Sequence, residues 1–313
     1  MTTSNSVNFS TNRDTMVLDA LRLLDVVGIE DDACTAAQSA HAIRFLNYLV
    51  KAMMADGMTL WATTQSATLF LQNDQVKYLL GATDHASNTV VETTLSTTKA
   101  SSATTLTLTS SSGMTVGDNL GVELDSGTIY WTTISTIPDS TSVTIPANSQ
   151  GAAASGNVVY TYTTRVNIPY RVWNVQRHDE NGLDVELEEL SREEYLALPN
   201  KTSEGVPNSY FYDAQLNNGV LYVWPEPSDV SIRLRFTYSR ILEDFDAATD
   251  TPDFPQDWYL AIIYQLAVLL APSYGRLAEL DKLQPLASLY YNVARSNTNQ
   301  SKDIHIQVDF GDN

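Results

Sequence analysis

Between Asn88 and Thr163 the chain reads unlike the rest of itself. This stretch is crowded with Ser, Thr, Gly and Ala, and Lys99 is its sole basic residue. A run so poor in long side chains could be a linker, yet Val, Leu, Ile, Tyr and Trp131 recur through it and supply a core that linkers lack. Alternation predicts strands at Thr104–Thr109, Asn119–Leu124, Thr128–Ser135, Ser142–Ile145 and Val158–Tyr162, with Asp125-Ser126-Gly127 as a hairpin turn. Short strands at this spacing make a small all-β barrel or sandwich. Helical and β text of a different kind lies on both sides of it, which is the pattern of a domain inserted into a host.

The host opens with helices. Val17, Leu21 and Leu24 share one face of a helix over Arg13–Val27, and Gly28 takes the place past its end that glycine favours. Asp31 and Asp32 offer N-caps for a longer helix to Asp56, whose stripe is Ala42, Phe45, Leu46, Leu49, Val50 and Met53. Two β segments, Ala67–Leu71 and Val76–Leu80, flank Gln72-Asn73-Asp74-Gln75 and read as a hairpin. After the insertion, Tyr170–Arg177 and Leu183–Leu190 read as strands. Ser191-Arg192-Glu193-Glu194 has the form of a capping box. Ser209–Ala214, Gly219–Trp224 and Val230–Ser239 form an expected meander. The acidic loop Glu243–Asp257 leads to a helix ending at Ala271, and a last helix runs from Arg276 to Ser296 with a bend expected at Pro285. In the tail, Ile304, Ile306, Val308 and Phe310 alternate with polar residues, a strand signal lying after everything else. Such a strand either closes the chain's own sheet or augments a neighbour.

The fold class read from this is α+β: a helical bundle packed with a small antiparallel sheet, an inserted all-β domain and an extended C-terminal tail. The corresponding segments are 1–87, 88–163, 164–300 and 301–313.

Charge and motifs narrow the function. Acidic residues number 37 against 18 basic ones, so the clustered cations that grip nucleic-acid phosphates are missing, while a surface that DNA slides past is well served. One cysteine, Cys34, rules out a disulfide framework. The N-terminal residues have neither a basic region nor an apolar run, so no secretory signal is read there. The longest apolar stretch, Leu260–Ala271, is too short for a membrane span. The phosphate-binding, dinucleotide and nucleophile-elbow motifs are absent, and His41, His85, His178 and His305 lack metal-ligand spacing. No cofactor is implied. The triplet His178-Asp179-Glu180 reads as a solvated turn before Asn181-Gly182. Glu243 with Asp246, or Asp253 with Asp257, could form a glycosidase-like carboxylate pair, although acidic runs are more often solvated faces. Tyr160, Tyr162, Tyr210, Phe211, Tyr212, Tyr222 and Trp224 have no interleaved cations and read as sheet packing rather than stacking platforms.

Three stretches carry a family resemblance. They are the helix pair from Arg13-Asp14-Thr15-Met16-Val17-Leu18 through Leu46-Asn47-Tyr48-Leu49-Val50, followed by Leu60-Trp61; the segments Leu221-Tyr222-Val223-Trp224-Pro225 and Leu234-Arg235-Phe236-Thr237-Tyr238; and Pro252-Asp253-Phe254-Pro255-Gln256-Asp257-Trp258 running on to Leu270-Ala271-Pro272-Ser273-Tyr274-Gly275. In these the chain resembles the tail accessory factors, or head-to-tail adaptors, of short-tailed bacteriophages. The resemblance implies a non-enzymatic homo-oligomeric ring of twelve copies beneath the portal protein, lengthening a channel through which DNA passes without sequence-specific binding. It implies helices of neighbouring copies side by side, and a platform for the tail hub or nozzle and fibre proteins. It further implies a place in the virion tail or neck, host cytoplasm during assembly, no membrane, and Ile304, Ile306, Val308 and Phe310 as the anchor on the portal. Two other readings stay open on the residues: a virion-associated peptidoglycan-cleaving protein and a glycan-binding module.

Overall fold

The computed structural model describes residues 5–6, 8–55, 64–146, 151–179 and 181–298. Two helices, α1 (Arg13–Leu23) and α2 (Ala36–Ala55), open the chain, and strands β1 (Thr64–Phe70), β2 (Lys77–Leu80) and β3 (Ala86–Ser87) follow. Next come β4 (Val91–Thr94), β5 (Thr105–Thr107), β6 (Asn119–Glu123), β7 (Ile129–Thr133), β8 (Thr136–Asp139), β9 (Ser142–Thr144) and β10 (Val158–Tyr162). The chain continues through β11 (Pro169–His178), β12 (Asp184–Glu186), β13 (Glu188–Glu189) and the short helix α3 (Arg192–Ala197). Then come β14 (Glu204–Gly205), β15 (Ser209–Ala214), β16 (Gly219–Trp224), β17 (Glu226–Pro227) and β18 (Arg233–Arg240). Helices α4 (Tyr259–Leu270) and α5 (Leu277–Thr298) end it. The fold is α+β with strands in the majority. It divides into two compact units, one made of 1–63 with 242–313 and the other of 64–241.

The first unit is built on α4, whose apolar residues run round the whole helix and which packs against α1, α2 and α5. Its Ala261, Ile262, Leu266, Ala267 and Leu270 are buried with Met16, Val17, Ala20 and Leu21 of α1 and Ala42, Leu46 and Val50 of α2. Two helix boundaries differ from the sequence reading. Helix α1 stops at Leu23, and it is Asp25 (φ 48°), not Gly28, that turns into the left-handed region, which Asp tolerates better than most residues. Helix α2 begins later than Asp31 and Asp32 suggest. Thr35 and Gln38 cap it reciprocally, the Gln38 N–H donating to Thr35 Oγ1 and the Thr35 N–H to Gln38 Oε1, while Asp31 accepts from the Gly28 N–H instead.

In the second unit, one sheet runs β12-β11-β18-β1-β3 and another β13-β15-β16-β2. They bury a shared core that includes Leu69, Tyr78, Leu80, Val172, Val175, Leu221, Leu234 and Phe236. Two expected pairings dissolve here. β1 and β2 are not a hairpin: β1 pairs with β18 and β3, while β2 pairs with β16. The polar residues between them make a corner, held by Tyr78, whose hydroxyl accepts from the Gln72 N–H at 3.0 Å. β18 likewise leaves the expected meander and joins β1 and β11. The run from Leu183 to Leu190 also splits, β12 joining one sheet and β13 the other, with Leu187 buried between them.

The Ser/Thr-rich stretch forms two further sheets, β4-β10-β6-β7 and β5-β9-β8, around a core of its own that includes Leu95, Leu106, Leu120, Val122, Val143 and Val159. The Asp125-Ser126-Gly127 turn joins β6 to β7, with Gly127 at φ 77° and the Leu124 N–H donating to the Thr128 carbonyl at 2.9 Å. Strands β4 and β8 are additions to those read from sequence.

A second small cluster ties these sheets to the neighbouring sheet of the same unit. Phe70, at the end of β1, packs among Ile129, Tyr160, Tyr162 and Trp131. His85 lies flat on Trp131 with ring centroids 3.7 Å apart, and its Nδ1 meets the Tyr162 hydroxyl. The Gln72 carboxamide grips the outer edge of β7, donating to the Ile129 carbonyl and accepting from the Ile129 N–H, both at 3.0 Å. Arg233 of β18 pairs with Glu92 of β4 and lies 5.1 Å over the Tyr160 ring.

Two outcomes are expected. Gln72→Ala leaves both Ile129 backbone groups without that partner and lowers stability by about 1–3 kcal/mol, with faster amide exchange at Ile129 by NMR. Burial, helped by Arg165, lowers the His85 pKa from 6.5 to about 3, so the folded state keeps the ring neutral. The unfolded chain binds the proton first as pH falls. Stability is therefore complete above pH 6.5 and declines toward pH 3, with a slope of up to about 1.4 kcal/mol per pH unit. Denaturant titrations followed by tryptophan fluorescence should show this slope, flattened in His85→Phe.

Candidate interaction surfaces

Of the carboxylates that might have cut a sugar, Asp253 is occupied by the loop's own backbone. The acidic loop lines a cavity of about 550 Å³ with Glu243, Asp244, Phe245, Asp246, Ala247, Asp250, Thr251 and Asp253. Asp253 accepts from the Glu243 N–H at 3.2 Å, and one oxygen of Asp250 accepts from the amides of Asp246 (2.8 Å) and Ala247 (2.6 Å). Asp257 sits apart in a 3-10 turn before α4. Glu243 and Asp253 are thus brought together as a loop brace. Other residues of the unit fix the loop from below. Asn47 of α2 bonds both the N–H and the carbonyl of Phe245, Lys51 pairs with Asp244 and donates to the Leu242 carbonyl, and Arg13 donates to the Asp246 carbonyl. These partners lie far away in sequence, and only their polar type inside an apolar helix face hinted at them.

His178 departs from the solvated turn its sequence context suggests: it is the last residue of β11, its side chain is 12 % exposed, and it pairs with Asp184 of β12 at 2.7 Å. The turn follows it, where Asp179 accepts from the amides of Asn181 and Leu183. Among the described residues no group of His, Cys, Asp and Glu could hold a metal ion.

The aromatic residues do meet cations, which the sequence order concealed. Phe211 and Tyr222 stack 5.8 Å apart on adjoining strands, Tyr195 of α3 covers them, and Arg192 lies 5.4 Å over Phe211 while also pairing with Asp213. The reciprocal Ser191–Glu194 capping box sets α3 in place. Phe211 and Tyr195 are nearly buried, so this is packing and leaves no open platform for bases. Lys99 is also withdrawn from the surface. It is 3 % exposed, donates to the Gly151 carbonyl at 3.0 Å, stands over Tyr130, and has its pKa lowered by burial. The 88–163 stretch consequently presents no cation to solvent.

What remains open is apolar. On α5, Leu283, Ala287 and Ala294 face the core, whereas Leu286, Leu289 and Val293 are 38 %, 54 % and 51 % exposed. Spaced i, i+3 and i+7, these three form a second apolar stripe on one helix. On α2, Tyr48 is 61 % exposed, with Phe45 and His41 half-buried beside it. At the β15–β16 hairpin tip Leu216 is 95 % exposed. The sequence reading placed its site in Ile304, Ile306, Val308 and Phe310, which lie outside the described residues, and it passed over the α5 stripe because both faces of that helix are apolar.

Asp250→Ala should destabilise the first unit by roughly 1–2 kcal/mol through loss of the two amide bonds. Glu243→Gln should leave its melting temperature within a degree or so, since surface substitutions away from such features change little. Thermal unfolding of the two variants compares them.

Comparison with known proteins follows the same division between packing and chemistry. The family model described as "SU10 adaptor protein" matches residues 124–300, from the end of β6 through α5. No curated protein matches. Among solved structures, VP17, a capsid protein of bacteriophage P23-77, aligns at 12 % identity over 61 % of this chain and 73 % of that chain, with a TM-score of 0.14 that is too low to carry an argument.

Proposed function

The chain belongs to the SU10 adaptor protein family, and from that premise we propose that it forms a ring beneath the portal of a phage, extends the DNA channel and carries the tail hub and fibres. As a member of that family it is a structural phage adaptor and a component of the virion. Among the described residues no helix is long and apolar enough to cross a membrane.

The observation that carries the ring reading is the double-faced α5. A helix with one apolar face in the core and another in solvent is suited to a second protein partner, because a stripe of this kind gains from removal from water. The reading sets the copy number at twelve, with heterologous contacts closed by rotation. DNA passes through without sequence-specific binding, consistent with 37 acidic against 18 basic residues and with the buried Lys99. Residues 88–163 act as an inserted module directed at tail proteins, and Ile304, Ile306, Val308 and Phe310 anchor the C-terminal tail on the portal. The role is non-enzymatic. The acidic loop offers no specific support for peptidoglycan cleavage, since two of its carboxylates serve the loop's own amides.

The test is negative-stain imaging and mass determination of the chain, alone and mixed with its portal, with and without Asp303–Asn313. Rings on the portal that disappear on truncation are the expected result. A full-length chain that never binds a portal would sink the ring reading, and rings that persist after truncation would remove the tail anchor alone.

A further inference from the structure

The free chain, before any portal or neighbour is present, still has an apolar stripe on α5 to cover. Leu286, Leu289 and Val293 share that face, and Lys282, four residues before Leu286, lies on it too with its side chain 73 % exposed. Elsewhere in the helical unit the exposed large apolar residues, among them Phe9, Ile29, Tyr48, Leu260 and Leu269, do not line up three to a helix face. Among the described residues of that unit, the stripe is therefore the place where a row of apolar side chains finds a matching row.

The chain carries such a row directly beyond α5. The helix ends at Thr298, and Ile304, Ile306, Val308 and Phe310 follow, with polar residues between them. Dimensions favour this occupant. Alternate residues of a strand advance about 6.6 Å, and four residues of a helix advance about 6 Å. Read backwards, Val293, Leu289, Leu286 and Lys282 step by four, three and four residues. A returning strand meets them one for one: Ile304 at Val293, Ile306 at Leu289, Val308 at Leu286, and Phe310 over the Lys282 stem. Extended, residues 299–303 reach about 17 Å, against about 7.5 Å along the axis from Thr298 back to Val293. Asp309 and Asp312 then fall near Lys282, the cation on the stripe's own face. The tether favours the same chain over a second one, because a joined segment meets its helix at an effective concentration on the order of millimolar.

We propose that in the free chain Ile304–Phe310 folds back as an extended strand along its own α5 and covers Leu286, Leu289 and Val293. One consequence rests on the ring reading: a portal that takes the tail also uncovers the stripe for the next copy, so copies do not pair before a portal is present.

The experiment uses the full chain without portal, carrying Cys34→Ser, Leu289→Cys and Ile306→Cys, oxidised at high dilution. The expected product is a disulfide within one chain, monomeric by mass. It should form on the order of tenfold faster than in a control with Ser288→Cys in place of Leu289→Cys, since Ser288 is exposed but off the stripe. Equal rates would mean that the tail passes the helix without docking, and linked dimers would put it on a second copy; either overturns the proposal. A second measurement needs no cross-link. Deleting Ile304–Asn313 should raise the binding of a hydrophobic dye several-fold, and Leu289→Asp in the shortened chain should cancel the rise. Dye binding unchanged by the deletion would overturn the proposal as well. Neither measurement involves a portal, so their failure leaves the ring reading standing, and a chain that makes no rings on a portal leaves the fold-back in place.

Discussion

The pairing of β1 with β18, unbroken from Thr64↔Ser239 to Phe70↔Arg233, joins the first and last strands of the second unit. Much of the architecture depends on this ladder. It brings the two crossings between units to neighbouring strand ends, so that the helical unit can be assembled from both ends of the chain. It is also the centre of its sheet, since β11 and β12 attach through β18, and β3 attaches through β1. Its cost is the closure of a long loop before any contact rewards it, which places it among the slow steps of folding. Phe70 at its end also begins the aromatic cluster from which the Ser/Thr-rich sheets are held.

That attachment is made by geometry as well as by greasy contact. Flat stacking of His85 on Trp131, a carboxamide standing in for a neighbouring strand at Ile129, and the Arg233–Glu92 pair each fix direction, which apolar burial alone does not. The first unit uses the same device at Asn47, whose carboxamide reads both backbone groups of Phe245. In both places a polar side chain within an otherwise apolar neighbourhood marks a long-range brace.

Local chemistry was legible in the sequence and distant pairing was not. The Ser191–Glu194 capping box, the Asp125-Ser126-Gly127 turn and the α4 run could be read because each depends on residues within a few positions. The corner at Gln72 was read as a hairpin because a polar turn between two β-formers looks alike whether the strands pair with each other or part company. The same limit hid the route of β18, the split at Leu187 and the cations over Tyr160 and Phe211. Two caps were misplaced for a subtler reason: Asp31 and Asp32 are good caps in principle, but Thr35 with Gln38 satisfies two donors where an aspartate would satisfy one. The α5 stripe was missed as a surface because periodicity reports which faces are apolar and says nothing of which one is covered.

The β1–β18 ladder also has a mechanical grain. The chain enters β1 at Thr64 and leaves β18 after Arg240, at the same end of the pair. Tension drawing those two crossings apart therefore loads the inter-strand bonds one after another, as a zip opens, beginning at Thr64 and Ser239. Force applied along the strands in opposite directions would load the whole ladder at once. The second unit is consequently soft to one direction of pull and stiff to another, an anisotropy set by where the chain crosses between units and independent of how tightly either core is packed.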